Sequence, residues 1–391
     1  VADTEIEINA TTIDMNGALN LSGNALVSGE VQTANIGYTD GDNAIVIADG
    51  GGITAAAGIT STAAANTLGA TSFNDAAVTS VGTINGVGII SDITNFSGGI
   101  LISNDGGTGT LNAASNNTGL GYEVFDDLTS GDGNTAMGRG TASALTTGSN
   151  NTAIGNAAFD ANTTGSGNVA IGKDALTENT TADNNVAIGL FALNANTTGA
   201  GNTAVGKSSL GACTTGQRNV AIGFQAMDAA TTGGDSVCIG YEAGSAIVDV
   251  LENTLVGYYA GSKTVVAYNS AFGSGALENN TTGTRNVAMG RTALYANTTA
   301  NDNIAIGYAA LTANTTGTRN VAVGYAALDA ATTVNDNTAV GHDALTANTS
   351  GFKNTAIGSG AGEGNTTGDN LVAVGFNAAE NNTTADDNTA V

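Results

Sequence analysis

The side chains in this chain best suited to binding a ligand recur at one spacing. Tyr122, Phe224, Tyr241, Tyr258, Tyr308, Tyr325 and Phe376 each follow a glycine, and they are separated by multiples of 17 residues, one residue short between Tyr258 and Tyr308. Rings set in an exposed column would offer flat apolar surfaces to sugars; the competing reading is that they cover the rim of a core. The single histidine, His342, occupies the same place in its repeat and reads as a surface residue. No Ser-His-Asp or Cys-His set can be assembled around it. Two cysteines and one histidine cannot make the usual structural zinc sites. Asp40-Gly41-Asp42-Asn43 hints at calcium but lacks the spacing and closing Glu of an EF-hand loop. Glycine pairs occur without the strand–loop–helix context of a phosphate cradle. The sequence therefore predicts no enzyme, no catalytic residues, no metal and no cofactor. The many Asn-x-Thr triplets follow from a turn consensus and read as structural rather than as glycosylation acceptors.

What positions the rings is a sentence of seventeen residues, clean in Asn303 to Arg319 and begun again at Asn320. The glycine closing each N-x-A-[IV]-G strand falls at 121, 138, 155, 172, 189, 206, 223, 240, 257, 273, 290, 307, 324, 341, 358 and 375, with a single 16-residue step from 257 to 273. So short and strict a period predicts an all-β parallel solenoid, or β-roll, of about 16 coils over residues 117–391. At roughly 4.8 Å per coil it would extend about 75 Å. Gly155, Gly172, Gly189, Gly206, Gly223, Gly290, Gly307 and Gly324 are read as turn glycines allowing a positive φ or a close backbone approach. The Asn and Thr of Asn-Thr-Thr-Gly can bond local backbone and, when stacked, form ladders along the axis. The chain has no proline, as in-register central strands require.

Within the strand, alternation puts Ala on one face and the Thr, Val or Ile before and after it on the other. A coil of 17 residues has one narrow interior, yet its strand is apolar or small on both faces. The second face needs a partner, and an identical coil of another subunit is the simplest; a homotrimer about the fibre axis is expected. The repeat falters over 241–273. Ala246 to Leu251 and Lys263 to Ala267 replace the usual turn, and the core Leu becomes Gly at Gly244 and Gly261, as it does again at Gly362. This reads as a repacked pair of coils, or as a joint or lateral binding feature. Cys213 stands where the turn Asn belongs and reads as half-exposed; Cys238 stands in the strand and reads as buried.

The chain carries 34 acidic against 9 basic residues, a formal charge of −25, and all nine Lys and Arg lie between Arg139 and Lys353. Nucleic acid is an unfavourable partner without a basic footprint, and so is an anionic membrane surface. No apolar run approaches the 18 residues of a membrane span, so no membrane insertion is expected. Residues 1–29 alternate short apolar runs with Asn-Gly or Ser-Gly pairs, as in Ile6-Glu7-Ile8 and Asn16-Gly17, the grammar of a short-strand fibre shaft. Residues 30–116 read as an irregular β-rich adaptor or shaft, with Ile53 to Leu68 either a short helix or irregular β. The chain opens Val-Ala-Asp and stops at Val391, where the pattern calls for Gly, so a segment of a longer polypeptide is expected.

The N-x-[VT]-A-I-G strand with glycine-rich turns resembles the head repeats of trimeric autotransporter adhesins, which implies a left-handed β-roll with three chains side by side. Runs of the form N-T-A-[IV]-G-x-x-A-L-x-x-N-T-T-G more closely resemble the repeat regions of phage tail-fibre proteins, and Ile13 to Gly29 resembles their shaft segments. The repeat resemblance covers residues 117–391. It implies an extracellular structural fibre, part of a virion tail. Its partners would be its own copies, other tail or baseplate proteins, and a host-surface glycan (polysaccharide above all) or protein receptor. A bacterial cell-surface adhesin of the same architecture is the alternative. An ice-binding solenoid, using stacked Thr163-Thr164, Thr180-Thr181 and Thr197-Thr198, is a minor one.

Overall fold

In the computed structural model the chain divides into two units, Val1–Ser72 and Phe73–Val391. The structure describes residues 81–84, 87–93, 96–103 and 113–391 except 250. The predicted shaft over 1–29, most of the adaptor, Asp40 to Asn43 and Ile53 to Leu68 lie outside the described residues.

Among the described residues there are strands and turns and no helix. The first strands, β1 (Val81–Ile84), β2 (Val87–Ile93) and β3 (Phe96–Ser103), pair antiparallel in sequence order. β3 then pairs in parallel with β4 (Ala114–Ser115) and β5 (Thr118–Leu120). From β5 the chain is a parallel solenoid. Each coil adds one strand in register with the last: β8 (Val169–Ile171) on β9 (Val186–Ile188), β9 on β10 (Thr203–Val205), and so on to β21 (Thr389–Ala390). The one-residue deletion is absorbed in a turn, since Thr254 still pairs with Ser270 and Val256 with Phe272.

The strands are three residues long because the interior has room for one strand side chain. Ala170, Ala187, Ala204 and Ala221 point inward and are fully buried. Facing them is a wall of stacked turns carrying the core leucines, among them Leu176, Leu193 and Leu294. Asp174 and Leu176 both have left-handed φ, 53° and 54°, with Ala175 between them. Such φ values are unfavourable for L-residues. Here the alternation lets backbone groups bond to neighbouring coils in both directions. Asp174 N–H donates to Asn156 O at 3.0 Å in the preceding coil, and Leu176 N–H donates to Ala192 O at 3.0 Å in the next. The rigid stack fixes the strained residues.

Two columns of buried asparagine run through this interior. In the first, Asn168 Nδ2 donates to Asn151 Oδ1 at 3.2 Å and to Ala182 O at 2.9 Å, while its N–H donates to Asn151 Oδ1 at 2.9 Å. In the second, the turn Asn196 Nδ2 donates to Asn179 Oδ1 at 2.8 Å and to Gly199 O at 2.9 Å. A third ladder is made by threonine hydroxyls, as Thr180 Oγ1 donates to Thr197 O at 3.1 Å. The buried amide donors are satisfied in this way, while Asn196 Oδ1 is left without a partner; a coil out of step would unpair the donors as well, so the ladders specify one stacking register.

Where the repeat falters the core is redistributed. Leu255 takes the strand place of Ala, Gly244 and Gly261 take that of Leu, and Ile247 and Thr264 replace the turn asparagines; Leu255 and Ile247 are fully buried. Around Gly362 the same exchange is made with Leu371, which stands in the first asparagine column.

Candidate functional site

Alternation through the strand dictates which side chains face out. With Asn168, Ala170 and Gly172 directed inward, the residues between them and one step beyond form four outward columns. Two are the flanking strand positions, such as Val169 and Ile171. A third precedes the strand and holds Arg218, Asp235, Arg285, Asp302, Arg319, Asp336 and Lys353. The fourth follows the strand glycine and is the ring column of the sequence. The second strand column is apolar throughout, with Leu, Met, Ile, Val or Phe, and the first mixes Val and Ile with Thr and one Ser, yet both face solvent in the single chain. Met289 is 42% exposed and Ile357 43%.

The ring column is brought together as spacing suggests, with a particular geometry. Phe224, Tyr241 and Tyr258 stack with centroids 5.1 and 5.4 Å apart. Tyr308, Tyr325 and His342 do the same at 5.3 and 4.9 Å. Cations from the same column cap the stacks: Lys207 lies 5.6 Å from the Phe224 centroid and Arg291 5.6 Å from that of Tyr308. Arg139 stands over Tyr122 at 5.7 Å. The rings thus turn their faces to one another and their edges outward. Phe376, in the last full coil, is 80% exposed.

The charged column went unnoticed in the sequence, although its 17-residue spacing is legible there. Arg218 grips Asp235 through Nε and Nη2 at 2.6 and 2.8 Å, Arg285 grips Asp302 at 2.7 and 2.9 Å, and Arg319 grips Asp336 at 2.7 and 2.8 Å. The guanidinium hydrogen bonds hold all three carboxyls below the ordinary carboxylate range. Of the nine basic residues, four lie in this column and four, Arg139, Lys173, Lys207 and Arg291, in the ring column. The positive charge of an acidic chain is therefore drawn to the two flanks of its apolar outer face.

The turn glycines Gly155, Gly172, Gly189, Gly206, Gly223, Gly290, Gly307 and Gly324 all have φ between 127° and 144°. A β-carbon added to any of them would run into the carbonyl of the next coil, so both reasons for glycine operate at once. Cys213 corrects an expectation: it is fully buried, because the turn-asparagine place it fills is interior. Burial pushes its thiol up to about 11, and pushes that of Cys238 higher still. Both are free. His342 is paired with Asp343 at 2.8 Å as well as stacked on Tyr325.

A hollow of about 300 Å³ between successive coils is lined by Glu123, Asp126, Arg139, Ser143 and Asp160. Among the described residues no group of three or more His, Cys, Asp or Glu is placed to hold a metal ion. No protein-family model matches this chain, and no match was found among curated proteins or among solved structures.

Proposed function

We propose that this chain forms the rod of a phage tail fibre, in which three copies lie side by side and carry or contribute to attachment to a host surface, polysaccharide above all. The observation that carries the reading is the outer strand face. One unbroken apolar column runs the length of the solenoid beside a second of Thr, Ser, Val and Ile, with Arg–Asp pairs on one flank and aromatic and basic residues on the other, and this composition suits self-association. The resemblance of its repeats to those of tail fibres supplies the biological setting. Since a ring offers a sugar its face, and these faces are stacked on one another, the ring column serves first to stiffen the rod.

A bacterial surface adhesin would use the same trimer-compatible roll. An ice-binding role gains less support: Thr163, Thr180 and Thr197 spend their hydroxyls on the carbonyls of the next coil, leaving Thr164, Thr181 and Thr198 alone to meet ice.

Light scattering of the purified chain with electron microscopy is the test. Three-stranded rods are expected. A monodisperse monomer at micromolar concentration would overturn the reading, and retention on host-derived polysaccharide would extend it to attachment.

A further inference from the structure

A self-associating face made of near-identical coils has a problem of register. Shifting one copy along its neighbour by one coil, about 4.8 Å, exchanges Thr, Val and Ile for one another and costs little. Something has to break the degeneracy.

One level of the outer face does so. In the first strand column the residues are Thr, Val or Ile except at Ser270, the smallest; in the second they are Leu, Met, Ile or Val except at Phe272, the largest and the only aromatic. Both belong to β14 (Ser270–Phe272), the strand that follows the shortened coil. Phe272 is 38% exposed and is in none of the aromatic stacks among the described residues, unlike the ring column beside it.

In a closed cyclic assembly each contact is heterologous: one flank of the face meets the opposite flank of the next copy. The first strand column of one chain then packs against the second column of its neighbour. Resting on the trimer reading, we infer that the copies pack parallel and level for level, and that Phe272 of one chain seats against Ser270 of the next as the register pin. With levels matched, the largest residue meets the smallest. A slip by one coil sets Phe272 against Thr254 or Val287 and Ser270 against Val256 or Met289, overpacking one contact and leaving a void at the other. Displacing one chain of three by one coil creates a mismatch at both of its interfaces.

The test co-expresses two tagged chains, one carrying Thr338→Cys and the other Val340→Cys, and oxidises the purified assembly. The buried Cys213 and Cys238 do not compete. The matched pair should cross-link between chains at least tenfold more than an offset pair, Thr338→Cys with Ile357→Cys, one coil away. Placing Ser270→Val and Phe272→Val in both chains should leave the mass by light scattering unchanged and raise the offset product towards the matched one. Matched and offset products in equal yield from the unaltered face, or an offset yield unmoved by the two valines, overturns the pin while leaving the trimer standing. A monomeric mass overturns both. Two copies, cross-linking between equivalent positions, would replace the cyclic arrangement with a two-fold one and overturn it as well.

Discussion

Leu255 occupies the space that Gly261 leaves: a β-carbon on Gly261 would lie 2.8 Å from both methyl carbons of Leu255. The solenoid interior thus holds a fixed volume per coil and is indifferent to which wall supplies it. Where the strand sends in a leucine in place of alanine, the turn wall gives up its own leucine. Gly244 makes the same allowance from the coil before, its absent β-carbon 3.1 Å from a Leu255 methyl carbon.

This relationship predicts a rescue. Leu255→Ala alone should destabilise the irregular coils by about 2–5 kcal/mol, the cost of an unfilled cavity in a close-packed interior. Gly261→Leu alone should be worse, since it adds a clash to a left-handed φ of 55°. The double variant Leu255→Ala/Gly261→Leu restores the ordinary coil pattern, in which Leu already tolerates such a φ, and should recover most of the loss. Hydrogen exchange of amides between Gly240 and Gly273 is the measurement to make, because unfolding of a long repeat array is not a single two-state event. A double variant no better than Leu255→Ala would sink the idea.

The buried asparagine column gives a second prediction. Asn320 receives the N–H of Asn337 at its Oδ1 and donates through Nδ2 to Val334 O at 2.7 Å. Asn320→Asp keeps the shape and the acceptor but replaces a donor by a charge facing a carbonyl. Burial and that carbonyl raise the folded-state pKa of the new carboxyl above its unfolded value. The folded state then binds the proton more readily, so the penalty is full at pH 7 and shrinks as pH falls towards about 4. The thermal midpoint of the variant should approach that of the parent on acidification; a gap independent of pH would contradict this.

The arginine pairs titrate with the opposite sign. The hydrogen bonds from Arg319 hold Asp336 below the ordinary carboxylate range, so the pair contributes above the unfolded aspartate value and loses its contribution as pH falls through the lower, folded one. Both side chains are largely exposed, so the effect is small and salt-screened. Asp336→Asn should lower the thermal midpoint slightly at pH 7 in low salt, and the difference should vanish below about pH 3 or in 1 M salt. A difference that persists in both conditions would assign Asp336 a packing role instead.

Much of this was legible in the repeat. Strand, turn and period follow from the spacing of glycine and alanine, and the two-faced strand pointed to an outer apolar surface. The turn wall was not legible, because Leu176 and its equivalents adopt a left-handed φ that L-residues ordinarily avoid, and only the stacked hydrogen bonds make it tolerable. The asparagine before each strand looked like consensus and proved to be interior, which a rule counting polar residues as exposed would miss. The same rule misplaced Cys213: its column looked like a surface turn, while the amides of that turn point inward.

Two glycines separate the requirement for conformation from the requirement for space. Gly324 has φ 144°, and a β-carbon there would lie 2.5 Å from the carbonyl carbon of Gly341 and 3.2 Å from His342 N. Gly140 has φ 61° with nothing within 4 Å of the same atom, in a column where Ala157, Asp174 and Phe191 take φ of 51°, 53° and 57°. Gly324→Ala must therefore move one coil off the next and break ladder bonds on both sides. Its cost should exceed about 2 kcal/mol and open the amides of adjacent coils to exchange. Gly140→Ala should be neutral within about 1 kcal/mol, the left-handed preference of glycine being offset by the smaller entropy of the unfolded chain. Equal protection losses in the two variants would mean that φ alone, and not the approach of the neighbouring coil, makes glycine obligatory at the end of each strand.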